Sequence, residues 1–117
     1  MKYLKTYEEN AELQIGNFVL CKEVSAIKDL QNFISENIGQ YIRKQHQKNN
    51  IYYIIEYENV PKNLKSYFTM KEYNKTQYNC RQMSKRELVH WSKNKEDLEA
   101  ILTANKSGKS KETKKYY

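Results

Sequence analysis

The spacing of apolar residues divides the chain into short segments, most of which are typical of β-strands. A compact apolar run at 18–21 indicates a buried strand, and the Gly-Asn pair at 16–17 is a turn signal. The segment 51–58 is the clearest strand, because its residues are β-branched or aromatic. It predicts a central strand with Ile54 partly covered on the second face. Alternation places the following residues on the core face: Ile51, Tyr53, Ile55 and Tyr57.

Three further strands are predicted at 38–45, 76–83 and 87–91. In the second of these we expect Tyr78 to point inward together with Cys80 or Met83. The polar residues around 45–50 favour a hairpin loop, whereas 69–75 is interpreted as a polar loop.

Helical periodicity indicates three helices. The first spans about 26–37, with Ser25 as the N-cap and Gly39 in the left-handed position that often follows a helix. A short helix runs from Pro61 to about Tyr67 and turns Leu64 and Phe68 inward. The third spans 93–105, with Ser92 as its N-cap. Its buried stripe is predicted to be Leu98, Ile101 and Leu102.

At 117 residues the chain has room for one domain, since two halves of this size would have marginal cores. We expect a polar N-terminal arm at 1–12, a β-rich domain at 13–105 and a flexible basic tail at 106–117. The fold class is α+β: a small five-stranded antiparallel barrel or sheet with an inserted helix and a C-terminal helix.

The order of these strands resembles that of SH3-like and KOW-like small barrels. The resemblance rests on the entry into the first strand at 15–20, the segment 38–42, the Tyr/Ile strand at 51–57 and the short strands at 76–91. The helices at 26–37 and 61–68 depart from a minimal barrel. The whole chain also resembles short uncharacterised proteins of large bacteriophages, with a polar arm, this pattern and a Lys-rich end. Such barrels bind peptides or nucleic acid, or act as assembly modules.

The net charge of +7 is only weak evidence for a polyanionic partner. Residues 106–117 carry +4 of it, so the remaining residues carry only +3. The basic residues comprise 18 Lys and 3 Arg, and Arg is the better indicator of selected phosphate contacts. No apolar leader-like stretch opens the chain, which favours the host cytoplasm or a virion.

Candidate catalytic and metal-binding residues are sparse. Cys21, His46, Cys80 and His90 lack the close pairing of zinc ligands, so buried thiols and edge histidines are the preferred interpretation. Cys80 beside Arg81 could form a nucleophile with His90 across a hairpin, but alternation turns Cys80 inward. Glu56 and Glu58 share one strand face, so their separation would allow a glycosidase-like pair of carboxylates. Two solvated side chains at the end of a strand are the ordinary explanation. No phosphate-binding glycine motif is present. We expect no catalytic residue, metal or cofactor.

The remaining candidates combine basic and aromatic side chains, as in proteins that bind single-stranded nucleic acid. The predicted binding residues are Tyr41, Arg43, Lys44, Tyr52, Tyr78, Arg81, Lys85 and Arg86, with the tail lysines Lys106, Lys109, Lys111, Lys114 and Lys115. The alternative is that Tyr simply fills sheet faces in a chain poor in Phe.

These observations favour a non-enzymatic bacteriophage protein that acts by binding or assembly with a protein partner. Two alternatives stay open. The first is a nucleic-acid-binding accessory protein that uses the Tyr/Lys face and the tail. The second is an anti-defence inhibitor that docks on a host protein. No membrane partner is expected, because no apolar run is long enough to span a bilayer.

Overall fold

The computed structural model describes residues 12–72 and 74–115, with side chains described through residue 105. The elements follow in chain order: β1 (Phe18–Cys21), α1 (Lys28–Glu36), β2 (Gly39–Gln47), β3 (Asn50–Glu56), a 3₁₀ segment (Lys62–Phe68), β4 (Thr69–Glu72), β5 (Lys75–Tyr78), β6 (Cys80–Met83), a second 3₁₀ segment (Lys85–Glu87), β7 (Leu88–Ser92) and α2 (Lys95–Lys115). The predicted α+β class is confirmed. The predicted N-terminal arm lies outside the described residues except for Glu12.

Five strands form one antiparallel sheet in the order β6-β3-β2-β1-β7, and β4 and β5 form a separate hairpin. Within the described residues β6 and β7 do not pair, so the sheet is open and the predicted closed barrel is not seen.

A short connection joins the two edges of the sheet, and its length requires the sheet to bend. In a flat sheet β6 and β7 would lie about 19 Å apart. The connection from Met83 to Leu88 includes the second 3₁₀ segment, and such a path spans only about 13 Å. Bulges in β2 after Tyr41 and in β1 after Leu20 supply part of the bending.

The main core lies on one face of this sheet, under α1 and the first 3₁₀ segment. Phe33, Tyr57 and Phe68 form its aromatic centre, with ring centroids 5.4 to 5.7 Å apart in tilted or edge-on pairs. Leu64 and Phe68 are buried as predicted. Gly39 leaves room for this centre, since a Cβ there would lie 2.4 Å from Ile55 Cγ2 and 3.0 Å from the Tyr57 ring.

The region 69–83 differs from its prediction. The supposed polar loop at 69–75 belongs to the β4–β5 hairpin, and the single strand at 76–83 is two strands. Asn79 adopts a left-handed backbone conformation, with φ of +62°, and separates β5 from β6. Tyr78 therefore points outward and is 66% exposed, whereas Cys80 and Met83 are both buried.

The central strand is confirmed as β3, with two changes to its faces. Ile51 is 46% exposed, because it lies near the turn where no layer covers the sheet. Ile54, expected to be partly covered, is fully buried on the second face.

The helix ends also differ from the predictions. Ile27 occupies the N-cap position of α1 without a side-chain hydrogen bond, so Ser25 is not the cap. Gly39 does not terminate the helix in a left-handed conformation but begins β2. Ser92 precedes α2, where its Oγ accepts a hydrogen bond from Asn94 N–H (3.1 Å) and donates one to Asp97 (2.6 Å). The backbone of α2 continues to Lys115, ten residues beyond the predicted helix end.

Candidate nucleic-acid interface

Strand register gathers basic side chains at the end of the sheet that carries the β2–β3 turn. Lys48 lies in this turn, and Lys44 is opposite Tyr53, which is opposite Met83 of β6. Lys85 and Arg86 follow in the 3₁₀ segment directly after Met83. Two separate parts of the chain therefore bring positive charge to the same end.

The β4–β5 hairpin adds two more lysines. Glu72 near its turn forms an ion pair with Arg43 of β2 (2.9 Å) and accepts a hydrogen bond from Gln45 (3.3 Å). These contacts hold the hairpin turn against β2 and place Lys71 and Lys75 beside it. We call the resulting surface the basic end. It consists of six exposed side chains: Lys44, Lys48, Lys71, Lys75, Lys85 and Arg86.

The two acidic side chains closest to these cations make specific hydrogen bonds. Glu72 is paired with Arg43, as above. Glu87 accepts hydrogen bonds from the backbone N–H and the hydroxyl of Ser84 (2.7 and 3.0 Å), which closes a capping box around the 3₁₀ segment. Both acids therefore stabilise the fold, and the six cations leave the basic end with a net positive charge.

The opposite end of the sheet is acidic. A shallow open pocket there is lined by Phe18, Ile38, Gly39, Gln40, Glu56, Glu58 and Lys95. The carboxylates of Glu56 and Glu58, noted in the sequence as a pair, are exposed at this site. Glu36 and Glu96 are exposed on the helix ends that adjoin it. Charge is thus segregated along the sheet.

The eight predicted binding residues do not form one face. Tyr41 is only 2% exposed and packs edge-on against Tyr53, with centroids 5.3 Å apart, so it belongs to the core. The register places Arg43 and Tyr52 on one face of the sheet and Lys44 and Arg81 on the other.

Four of the eight are exposed: Lys44, Tyr78, Lys85 and Arg86. Tyr52 is half-buried. The five lysines of the predicted tail lie along α2 between Lys106 and Lys115, where side chains are outside the described residues.

Arg43 and Arg81, which looked like ligand-binding residues, are both engaged within the fold. Arg43 also donates a hydrogen bond to Gln77 of β5. Arg81 donates two hydrogen bonds to the Glu23 carboxylate (3.1 and 2.8 Å), and its guanidinium lies 5.9 Å from the centre of the Phe68 ring. Each has a carboxylate partner far away in sequence, and their contact with a ligand stays a prediction.

The Glu23–Arg81 pair ties the loop after β1 to the edge strand β6. The Glu23 side chain is 2% exposed, and Arg81 also donates to the Tyr67 carbonyl (3.0 Å). Burial acts to raise the pKa of the Glu23 carboxyl, but hydrogen bonds from Arg81 and Ser25 and the charge of Arg81 outweigh it and lower that pKa.

The two cysteines are poorly suited to nucleophilic chemistry. Burial raises the pKa of the Cys21 thiol to about 12, against an opposing contribution from the Tyr57 hydroxyl. Burial also raises the pKa of Cys80. Among the described strands β6 and β7 do not pair, so these two do not form the hairpin that would bring His90 to Cys80. No group of metal-ligating side chains occurs among the described residues.

The sequence interpretation missed half of the basic end: Lys48, Lys71 and Lys75. The last two were assigned to a loop, although the alternation on both sides of residues 73–74 is that of a short hairpin. Their position beside β2 depends on the Arg43–Glu72 contact, which no local pattern indicates.

Comparison with known proteins gives no relative: no family model, curated protein or solved structure matches the chain. In the part of the chain that the structure describes, no helix has both the length and the apolar character of a membrane span.

Proposed function

We propose that this chain is a non-enzymatic nucleic-acid-binding module whose contact surface is the basic end. The observation that carries the proposal is the convergence of six exposed cations from three separate segments of the chain. Lysines on a phosphate backbone release condensed counterions, and this supplies most of the affinity of sequence-independent binding.

The charge segregation of the sheet supports this proposal. The chain outside 106–117 carries only +3, yet its exposed acids Glu56 and Glu58 lie at the end opposite the cations. A polyanion is therefore attracted to one end and repelled from the other, which orients the encounter.

An SH3-like barrel is part of the proposal as its scaffold. The strand order β6-β3-β2-β1-β7 and the short connection from Met83 to Leu88 support it, as does the resemblance seen in the sequence. Barrels of this kind include nucleic-acid-binding modules, so the scaffold and the basic end agree.

The test measures fluorescence anisotropy of labelled DNA and RNA, single-stranded and duplex, between about 50 and 200 mM salt. We expect affinity to fall steeply with salt, with a slope near −0.9 per phosphate contact on duplex DNA. Absence of binding at the lowest salt would overturn the proposal.

A matched pair of variants separates the basic end from net charge alone. K44Q/K48Q/K75Q/K85Q removes four charges from the basic end, and K28Q/K62Q/K65Q/K93Q removes four exposed charges elsewhere. We expect the first to abolish binding and to flatten the salt slope, and the second to retain most of the affinity. Equal losses would contradict a defined interface.

A second candidate, a protein-binding assembly module, is favoured by one other observation. Val24 and Tyr67 are exposed large apolar side chains, and both adjoin the Glu23–Arg81 pair. Exposed apolar groups around a fixed ion pair are typical of a protein contact. A partner recovered in stoichiometric amount by the wild-type chain and lost with V24D/Y67D would support this candidate.

A further inference from the structure

The β2–β3 hairpin extends beyond the rest of the sheet. Strand pairing of β1 with β2 reaches only Gln40, continued by backbone bonds to Tyr41, and β6 pairs with β3 no farther than Tyr53. Among the described residues, no other strand borders the segment 45–52 on either side. It is a two-stranded ribbon that ends in a two-residue turn between Gln47 and Asn50.

The side chains of this ribbon are rich in amides. Gln47, Asn49 and Asn50 are exposed around the cation of Lys48. The exposed Ile51 and His46 are paired on the face of the ribbon opposite to Gln47 and Asn50. Gln45 differs from these amides, because it is partly buried and bonded to Glu72. The projecting part therefore presents three exposed amides, one imidazole, one lysine and one apolar side chain.

We propose that this ribbon enters the major groove of duplex DNA and favours A·T pairs, an inference that rests on the proposed function. Asn and Gln amides pair in a bidentate way with the N6 and N7 edge of adenine, and the register places Gln47 and Asn50 together on one face of the ribbon. The major groove, about 12 Å wide and 8.5 Å deep, admits a two-stranded β-ribbon. The strands of such a ribbon are about 4.8 Å apart, so it fits this width.

The other cations of the basic end lie where the DNA backbone would pass. Lys71 and Lys75 are on the hairpin that packs on the outer face of β2, and Lys85 and Arg86 follow the strand beside β3. With the ribbon in the groove, these two pairs flank it and contact phosphates. Phosphate contacts position the protein, and the ribbon amides read the bases.

Two alternative nucleic acids fit the ribbon less well. Recognition of a single strand relies on exposed rings for base stacking, but Tyr41 is buried and Tyr52 and Tyr53 are half-buried. The exposed Tyr78 lies at the end of β5 away from the hairpin turn. Duplex RNA has a deep, narrow major groove that side chains cannot read. Duplex DNA is therefore the ligand class that this surface favours.

The test compares four probes of one length by anisotropy at low salt: A·T-rich duplex DNA, G·C-rich duplex DNA, duplex RNA and single-stranded DNA. We expect the A·T-rich duplex to bind roughly tenfold more tightly than the G·C-rich duplex, as for one or two good base contacts. Replacing adenine by 7-deazaadenine, which lacks the N7 acceptor, removes that preference.

The variant Q47A/N50A identifies the groups that read the bases. Both side chains are exposed in paired strand positions outside the turn, and N32A/N63A is the matched control at exposed sites elsewhere. We expect Q47A/N50A to bring the A·T to G·C affinity ratio close to one, and the control to leave it unchanged. Unaltered thermal melting of both variants verifies their folding.

The outcomes separate this inference from the proposed function. Salt-dependent binding with an affinity ratio of one, insensitivity to 7-deazaadenine, or tighter binding to single strands or duplex RNA would overturn the ribbon inference and leave the function standing. An A·T to G·C affinity ratio that is unchanged in Q47A/N50A would also overturn the ribbon inference. Absence of any binding at low salt would overturn the function itself.

Discussion

Charged side chains have different roles at the Glu23–Arg81 pair and at the basic end. Arg81 lies between a buried carboxylate and an aromatic ring, with its side chain 22% exposed. Lys44, Lys48 and Lys75 are exposed, and no ion pair of theirs occurs among the described residues. A paired charge near the core fixes the fold, whereas an exposed cation is available to a ligand. Net charge alone does not distinguish the two.

The largest predicted effect comes from removing the Phe68 ring, which supports the Glu23–Arg81 pair. Phe68 is fully buried against Phe33 and Tyr57 and lies beneath Arg81. Phe68→Ala should lower the free energy of unfolding by about 3–5 kcal/mol. Urea denaturation measures it, and Lys48→Gln, expected within about 0.5 kcal/mol of wild type, is the comparison. Similar losses in both variants would contradict the contrast between the regions.

The next effect concerns the ion pair itself. Arg81→Met leaves the Glu23 carboxylate buried without its cation and should cost about 3 kcal/mol at neutral pH. Arg86→Met, at an exposed position, is the control. A loss below that of the control would show that the pair does not fix the loop to β6.

The same pair predicts a pH dependence of stability. Because the folded state lowers the pKa of Glu23, the pair contributes fully above the ordinary glutamate pKa and loses its contribution as the pH falls through the lowered value. The stability difference between wild type and Arg81→Met should therefore shrink on acidification. Chemical denaturation at a series of pH values measures it, and a difference independent of pH would contradict this assignment.

A smaller effect tests the packing beneath the pair. Gly39→Ala places a Cβ 2.4 Å from Ile55 Cγ2 and against the Tyr57 ring, and should cost about 1–3 kcal/mol. Thermal melting is the measurement, with Gln47→Ala at the far end of β2 as the control. No loss would mean that Tyr57 can move aside easily.

The smallest effect on stability concerns the Arg43–Glu72 pair, whose side chains are about one-third exposed. Glu72→Gln should cost only about 0.2–1 kcal/mol, because solvent screens such pairs. It should nevertheless weaken nucleic-acid binding, because loosening the hairpin that holds Lys71 and Lys75 outweighs the loss of one negative charge from the basic end. Unfolding and anisotropy on one variant separate the two readouts, and unaltered binding would show that the hairpin position is irrelevant.

Local pattern was sufficient to predict the parts of the fold whose signals are short in range. The apolar run at 18–21, the aliphatic-aromatic strand β3 and the inward Leu64 and Phe68 all follow from their own residues. The β4–β5 hairpin was missed because each strand has only four residues and contains Lys or Glu, which are depleted in strands. Its packing on Arg43 depends on tertiary contact.

The site was predicted in part for the same reason. Lys44, Lys85 and Arg86, which the sequence predicts as binding residues, are exposed cations in the structure. Arg81, predicted alongside them, pairs with Glu23, which is 58 residues away, so only the folded chain brings the two together. Tyr41 was misplaced because Tyr fits a core as well as a surface, and sequence alone does not distinguish these environments.

The pairing of β7 with β1 has a consequence for the order of folding during synthesis. Trp91 lies opposite Val19, so this edge of the sheet joins residues from the two ends of the domain. The ribbon formed by β2 and β3, by contrast, pairs residues that are close in sequence, so it can form early. On the ribosome β1 has no β7 to pair with until almost the entire domain has emerged. Truncation before Leu88 should therefore leave β1 as an unpaired edge that invites aggregation.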